Sequence, residues 1–156
     1  MANVLGEFEV TVDAKGRFMI PTGFKKQLSE AEGSKFVLSR GFEKCLTLYT
    51  LEQWKKVEEI VSKLNDFNKQ ARQFKRAFLN GATMLEPDAA GRLLLPKSML
   101  AYAGITKDMM FNAQVDKVEL WDSVAHAAET ASYGDVMESI GGQVLGSNFM
   151  NSFDGM

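Results

Sequence analysis

The chain has 156 residues, 46% hydrophobic and 24% charged, enough for a soluble core and divisible into one ordinary domain or two very small ones. No run approaches the ~18 consecutive apolar residues of a membrane span, and Met1 to Val10 carries no basic leader, so a cytosolic protein is expected. The net charge of −2 is unevenly spread: residues 1–79 hold 14 Lys+Arg against 10 Asp+Glu, whereas residues 80–156 hold 4 against 10, so the basic character lies in the first half.

One cysteine excludes an intrachain disulfide and a multi-cysteine metal site, and the flanks of Cys45 in Lys44-Cys45-Leu46 favour a buried strand position. With only His126, a zinc centre would need a carboxylate-rich ligand set. No G-x-S-x-G elbow and no G-K-[ST] phosphate loop is present, so an enzyme is the class least favoured, and no cofactor or small-molecule substrate is expected.

In chain order, Phe8, Val10 and Val12 alternate with Glu7, Glu9 and Thr11, the period-two pattern of a strand with one buried face. Asp13-Ala-Lys-Gly16 follows, and Phe18-Met19-Ile20 resumes the strand. An Asp carboxylate accepts hydrogen bonds from amides just downstream and Gly16 tolerates positive φ, so a tight hairpin loop is expected. Pro21 suits the first turn of a short helix with Phe24 and Leu28 inward.

Thr50-Leu-Glu-Gln53 has capping-box form. From there Trp54, Val57, Val61, Leu64, Phe67, Ala71, Phe74 and Phe78 recur at helical spacing, a stripe read as a core or partner-helix face, with any break at Asn65-Asp66. The interleaved Lys55, Lys56, Lys63, Lys69, Arg72, Lys75 and Arg76 read as a solvated face.

The first signature then returns. Asp13 to Pro21 reads D-A-K-G-R-F-M-I-P and Asp88 to Pro96 reads D-A-A-G-R-L-L-L-P, five of nine positions coinciding at an offset of 75 residues. At that offset Phe36 aligns with Phe111, and after a three-residue shift Leu46-Thr-Leu-Tyr49 lies over Val118-Glu-Leu-Trp121. The second short helix should carry Met99 and Ala103 inward and end at Gly104. A further helix should start near Asp122 and fade near Gly134. After Ser139, Gly141-Gly142 and Gly146-Ser-Asn148 read as a flexible tail, with Phe149, Met150 and Phe153 able to dock on a neighbour.

Each β unit is about fifty residues, too small for a comfortable core of its own. The two copies should therefore pair about a pseudo-two-fold axis into one sheet system with their loops on one side. Turn geometry accounts for Asp and Gly but not for Arg17 and Arg92, which occupy the same place in both copies. A guanidinium on a projecting β-loop can donate two hydrogen bonds to guanine O6 and N7. Lys15, Lys25 and Lys26 are expected nearby as phosphate contacts.

These residues resemble the MraZ family of bacterial transcriptional regulators, whose members carry two AbrB-like (SpoVT-AbrB) domains, each with a D-x-x-x-R motif. Here the motifs are Asp13 to Arg17 and Asp88 to Arg92. Gly41-Phe-Glu-Lys-Cys-Leu-Thr-Leu-Tyr49 with Trp54, Phe74-Lys-Arg-Ala-Phe-Leu-Asn-Gly81 and Val118-Glu-Leu-Trp-Asp122 support the likeness, over residues 3–130.

The resemblance implies an α+β, mainly β fold of tandem swapped-hairpin barrel units joined by helices, divided as 1–50, a helical linker 51–79, 80–125, and a C-terminal helix and tail 126–156. It also implies a ring-shaped homo-oligomer in the cytoplasm, associated with the nucleoid. Such a protein would bind short direct repeats in double-stranded DNA upstream of the division and cell-wall gene operon and repress it. Arg17 and Arg92 become the base-reading residues; Asp13, Gly16, Asp88 and Gly91 shape the loops.

Ala90 stands where the first copy has Lys15, and His126 stands where the family often has tryptophan. The first loop, with Lys15 beside it and Lys25-Lys26 behind, is thus the expected main DNA contact, and Arg17→Ala the more damaging change. Two other readings stay open: an antitoxin-like AbrB regulator, and a ring-forming assembly protein without a specific DNA target.

Overall fold

The computed structural model describes residues 3–146, which fall into two compact units, one ending at Ser123 and one starting at Val124. Eight strands and four helices form the first: β1 (Val4–Thr11), β2 (Arg17–Met19), α1 (Thr22–Lys25), β3 (Phe36–Arg40), β4 (Leu46–Thr50), α2 (Leu51–Ser62), α3 (Lys69–Leu79), β5 (Thr83–Leu85), β6 (Arg92–Leu94), α4 (Lys97–Ala103), β7 (Asp108–Val115) and β8 (Val118–Asp122). Helix α5 (Ser123–Thr130) leads into the second unit, which also contains α6 (Tyr133–Leu145). The fold is α+β. Helix takes 38% of the described residues and strand 28%, so the strands dominate the core rather than the residue count.

The strands make a six-stranded antiparallel sheet, ordered β1-β7-β8-β4-β3-β5, and a separate two-stranded ribbon of β2 and β6. Strands of the first copy (β1–β4) and of the second (β5–β8) interleave: β1 pairs with β7, and β5 with β3. Exchanging the copies reverses the strand order and leaves it unchanged, which is the signature of a pseudo-two-fold axis. The axis passes through the ribbon at the Phe18–Leu93 pair, flanked by Arg17–Leu94 and Met19–Arg92. It passes through the large sheet at Thr47–Glu119, flanked by Leu46–Leu120 and Leu48–Val118.

This pairing corrects two expectations. The Asp-to-Arg turns are not hairpins, because β1 pairs only with β7 and β2 only with β6. The chain instead turns a corner from one sheet into the other, and the opposite copy supplies the ladder hydrogen bonds. The alignment of Phe36 with Phe111 is also displaced. The ladders β3–β4 and β7–β8 superimpose when Phe36 lies over Met109 and Leu38 over Phe111, an offset of 73 residues. A two-residue slip keeps every side chain on its own face, so hydrophobic alternation cannot detect it.

The inward faces close on one core drawn from both copies, including Phe18, Phe24, Phe36, Leu38, Leu93, Leu95, Met99, Met109 and Phe111. Phe111 sits at its centre, with ring centroids 4.8 Å from Phe24, 6.0 Å from Phe18 and 6.2 Å from Phe8. Val12 is buried as the alternation requires, Leu28 packs partly against the core, and Ala103 is buried in α4, which ends at Gly104. Pro21 and Pro96 occupy the N-cap positions of α1 and α4, one residue before the expected first turn. Cys45 is fully buried but precedes β4 rather than lying in it.

The linker helices cover the other face of β3 and β4. Trp54, Val61 and Phe78 pack with Val37 and Tyr49, and the Trp54 and Phe78 rings stack 6.0 Å apart. The capping box forms: the Gln53 amide donates to Thr50 Oγ1 and the Thr50 amide to Gln53 Oε1. Helicity breaks over 63–68, at Asn65-Asp66, and Asn68 recaps α3 by accepting from the Ala71 amide. One member of the apolar stripe leaves the core there, Phe67 in the break at 96% exposed, while Phe74 in α3 is partly exposed and stacks between Phe78 and Phe42. Several linker cations are tied locally, Lys63 to Glu59 and Lys75 to Asp66, with Arg72 donating to the Asp66 carbonyl.

The C-terminal segment departs from its expected form. The helix does not fade near Gly134: α5 ends at Thr130, and α6 runs through Gly134 and Gly141-Gly142 to Leu145. Tyr133, Val136, Met137, Ile140 and Val144 fall on one face at helical spacing and none of them is buried; each interior glycine costs ~1 kcal/mol relative to alanine, which weakens a helix without ending it. Phe149, Met150 and Phe153 lie outside the described residues. Among the described residues no helix is long and apolar enough to cross a membrane.

Candidate nucleic-acid interface

Both signature loops have the same construction. Asp13 Oδ1 accepts from the amides of Lys15 and Arg17, each at 2.9 Å, while Oδ2 accepts from Arg17 Nε at 2.8 Å. In the second copy Asp88 Oδ1 accepts from the Ala90 amide at 3.0 Å and the Arg92 amide at 2.9 Å, and Oδ2 accepts from Arg92 Nε at 2.9 Å. Backbone bonds close each loop: Asp13 N–H to the Arg17 carbonyl and Gly16 N–H to the Asp13 carbonyl, with Asp88, Arg92 and Gly91 repeating the pattern.

The aspartate therefore has two tasks, where the sequence suggested one. It shapes the turn, and it orients the arginine by the Nε edge. Ionised oxygens make the stronger acceptors, and the Arg17 amide does most to hold the Asp13 carboxyl below its ordinary 3.8. The Arg17 guanidinium and the Lys15 amide add to that, outweighing the partial loss of solvent. Asp88 is lowered in the same way, first by the Arg92 amide.

The glycines are required by the corner. Gly16 has φ 92° and Gly91 φ 85°, where a Cβ would be strained. A Cβ on Gly16 would also lie 2.8 Å from the Leu95 carbonyl oxygen. Each loop meets the other copy's ribbon strand: the Leu95 amide donates to the Gly16 carbonyl and the Ile20 amide to the Gly91 carbonyl.

Directly paired residues share a face of an antiparallel ribbon, and alternate residues do too. Arg17, Met19, Arg92 and Leu94 consequently form the outer face of β2/β6, with Phe18 and Leu93 buried beneath. The arginine side chains remain 29% and 34% exposed with Nε engaged. This places two oriented guanidinium groups on a two-stranded ribbon, related by the pseudo-dyad.

The lysines are distributed differently from expectation. Lys15 is exposed in the first loop. Lys25 is not behind that loop: a Cβ on Gly91 would lie 3.8 Å from Lys25 Nζ, whereas beside Gly16 the nearest helix side chain is Leu100. Strand exchange is the cause, since it carries α1 of the first copy against the loop of the second. The second loop, which has Ala90 for Lys15, thus gains its cation from the other copy. Lys26 is exposed at the end of α1, and its position shows no attachment to either arginine. Met19 and Leu94 join this surface without belonging to the repeated Asp-to-Arg motif; alternation about Phe18 and Leu93 is the signal that marks both as outward.

Cys45 takes no part in this surface. Burial, with the Glu119 carboxylate 3.9 Å from Sγ, pushes its thiol up to about 12, far from the range of reactive thiolates.

The family model described as "MraZ protein, putative antitoxin-like" matches residues 4–77 and 78–131, one match for each copy of the loop. The chain is 36% identical to the transcriptional regulator MraZ of Christiangramia forsetii, over 100% of this chain and 99% of that protein. It is 36% identical to that of Flavobacterium psychrophilum, over 92% and 95%, and 41% identical to that of Cytophaga hutchinsonii, over 74% and 77%. With both loops inside the matched segments, the chain belongs to the MraZ family.

Proposed function

We propose that the protein is a sequence-specific transcriptional regulator that binds double-stranded DNA through the outer face of the β2/β6 ribbon. The observation that carries this reading is the doubled loop, in which Asp13 and Asp88 orient Arg17 and Arg92 on one face about a pseudo-dyad. A two-stranded ribbon fits the major groove, where a guanidinium reads guanine. The relatives' name, transcriptional regulator, supports it.

Its targets are short direct repeats upstream of the division and cell-wall operon, which it represses from the nucleoid. Repeats 1–50 and 80–125, linked by 51–79 and followed by 126–156, act as one reading unit. Self-association into a ring supplies several such units to one DNA, so that weak single contacts gain through effective concentration. The exposed apolar residues of α6, among them Met137, Ile140 and Val144, support self-association.

The assembly reading without DNA draws on one observation: each arginine already has a carboxylate partner. Salt separates the two. Binding to duplex DNA from upstream of the protein's own gene should weaken steeply as salt rises, and Lys15→Ala and Lys25→Ala should each flatten the slope by about one. Fluorescence anisotropy at several salt concentrations reads both. A slope unchanged in both variants would remove the lysines from the interface, and no salt-dependent binding at all would favour assembly alone.

A further inference from the structure

The outer face of the ribbon holds two apolar side chains that the arginines do not explain. Met19 is 51% exposed and Leu94 53% exposed, at equivalent positions of the two copies. Met19 pairs across the ribbon with Arg92, and Leu94 with Arg17, so arginine and apolar side chain alternate in a four-residue patch. Each apolar group also lies against the other copy's loop: built Cβ atoms on Gly91 and Gly16 would be 3.6 Å from Met19 Sδ and 3.8 Å from Leu94 Cδ1. Single exposed apolar residues are ordinary. Two of them at one repeated position, each beside a held arginine, are not accounted for by solvation of the loops.

The make-up of the patch selects its partner. Arg17 and Arg92 lie within the patch and Lys25 beside its Met19 end, the carboxylates of Asp13 and Asp88 are already bonded within their loops, and Glu7 and Glu9 border the groove that Met19 lines. Apolar side chains alternating with guanidinium groups suit a surface that sets hydrogen-bond acceptors beside isolated apolar points. The major groove has that form: guanine presents O6 and N7 as acceptors, and the thymine C5-methyl is the apolar group on its floor.

We propose that Met19 and Leu94 are specificity-determining residues that pack on thymine methyl groups beside the bases met by Arg92 and Arg17. The proposal rests on the DNA-binding reading above. It adds that the ribbon reads methyl groups as well as guanine edges, and that the two half-contacts differ because a flexible thioether faces one and a branched side chain the other.

The test compares two versions of one duplex from upstream of the protein's own gene, amplified with thymidine or with deoxyuridine, which lacks only the methyl. Full-length wild type is titrated with each, alongside Met19→Gln/Leu94→Asn and an unrelated duplex of equal length. Wild type should lose about fourfold in affinity for each methyl it buries, and the double variant should bind both versions equally. Equal wild-type affinity for the two versions, or an unchanged thymine preference in the variant, would overturn the proposal. Circular dichroism checks folding; should the double variant fail to fold, the single variants replace it, each expected to lose part of the preference, and the wild-type comparison decides by itself. If wild type did not prefer either version to unrelated DNA, the DNA-binding reading would fail as well, a result distinct from loss of the methyl effect alone.

Discussion

The smallest functional element is an aspartate and an arginine four residues apart. In each loop one carboxylate oxygen organises two backbone amides and the other holds Nε of the arginine. Replacing the carboxylate by an amide keeps the shape and removes the charge. Asp13→Asn/Asp88→Asn should therefore retain the fold and lose DNA affinity, through arginines that are no longer oriented before binding. The lowered carboxyls give a pH sign. A group favoured in its ionised form by the fold contributes fully above its ordinary value of 3.8, and the contribution is lost as pH falls below that. Melting temperatures recorded from pH 7 down to pH 3 should fall further for wild type than for the double asparagine variant. Parallel curves would mean that the aspartates make no such contribution.

Among the elements, the loops act as corners, and their glycines are not equivalent. Both have positive φ, but only at Gly16 does a built Cβ reach 2.8 Å from a backbone oxygen. Gly16→Ala should cost more than Gly91→Ala, for which strain at φ alone predicts about 1 kcal/mol; urea unfolding of the two variants measures the difference. The elements themselves were largely legible in the sequence. The repeated signature, the capping box at Thr50, the break at Asn65-Asp66 and the inward Phe24 and Met99 all rest on local chemistry. Strand partners were not legible, because a period-two pattern states which face is buried and not which strand lies alongside. Hence the Asp-to-Arg turn reads as a hairpin, the β3/β7 offset reads as 75 rather than 73, and Lys25 is assigned to the wrong loop. The glycines of α6 misled for a different reason: an interior glycine weakens a helix by ~1 kcal/mol and does not by itself end it.

For the whole molecule, interleaving makes the first unit a single fold. Strand β1 has its partner only in β7, and β5 only in β3, while the core draws on both copies. A fragment of residues 1–79 should not persist as a folded monomer; size-exclusion chromatography with circular dichroism checks this, and a compact, folded monomer would contradict the interleaved core. The same interleaving gives each loop proposed to face DNA one lysine, Lys15 in the first from within and Lys25 beside the second from the other copy. Comparable losses for Arg17→Ala and Arg92→Ala now replace the expectation that Arg17 dominates.

On the proposed function the ribbon arginines read sequence. This is tested most directly by titrating wild type, both single variants and Arg17→Ala/Arg92→Ala against DNA from upstream of the protein's own gene and against unrelated DNA. Each single variant should lose roughly 5- to 150-fold for the upstream DNA, and the double variant should keep no more than the few-fold preference that Met19 and Leu94 supply. A double variant that kept wild-type preference for the upstream DNA would contradict that reading.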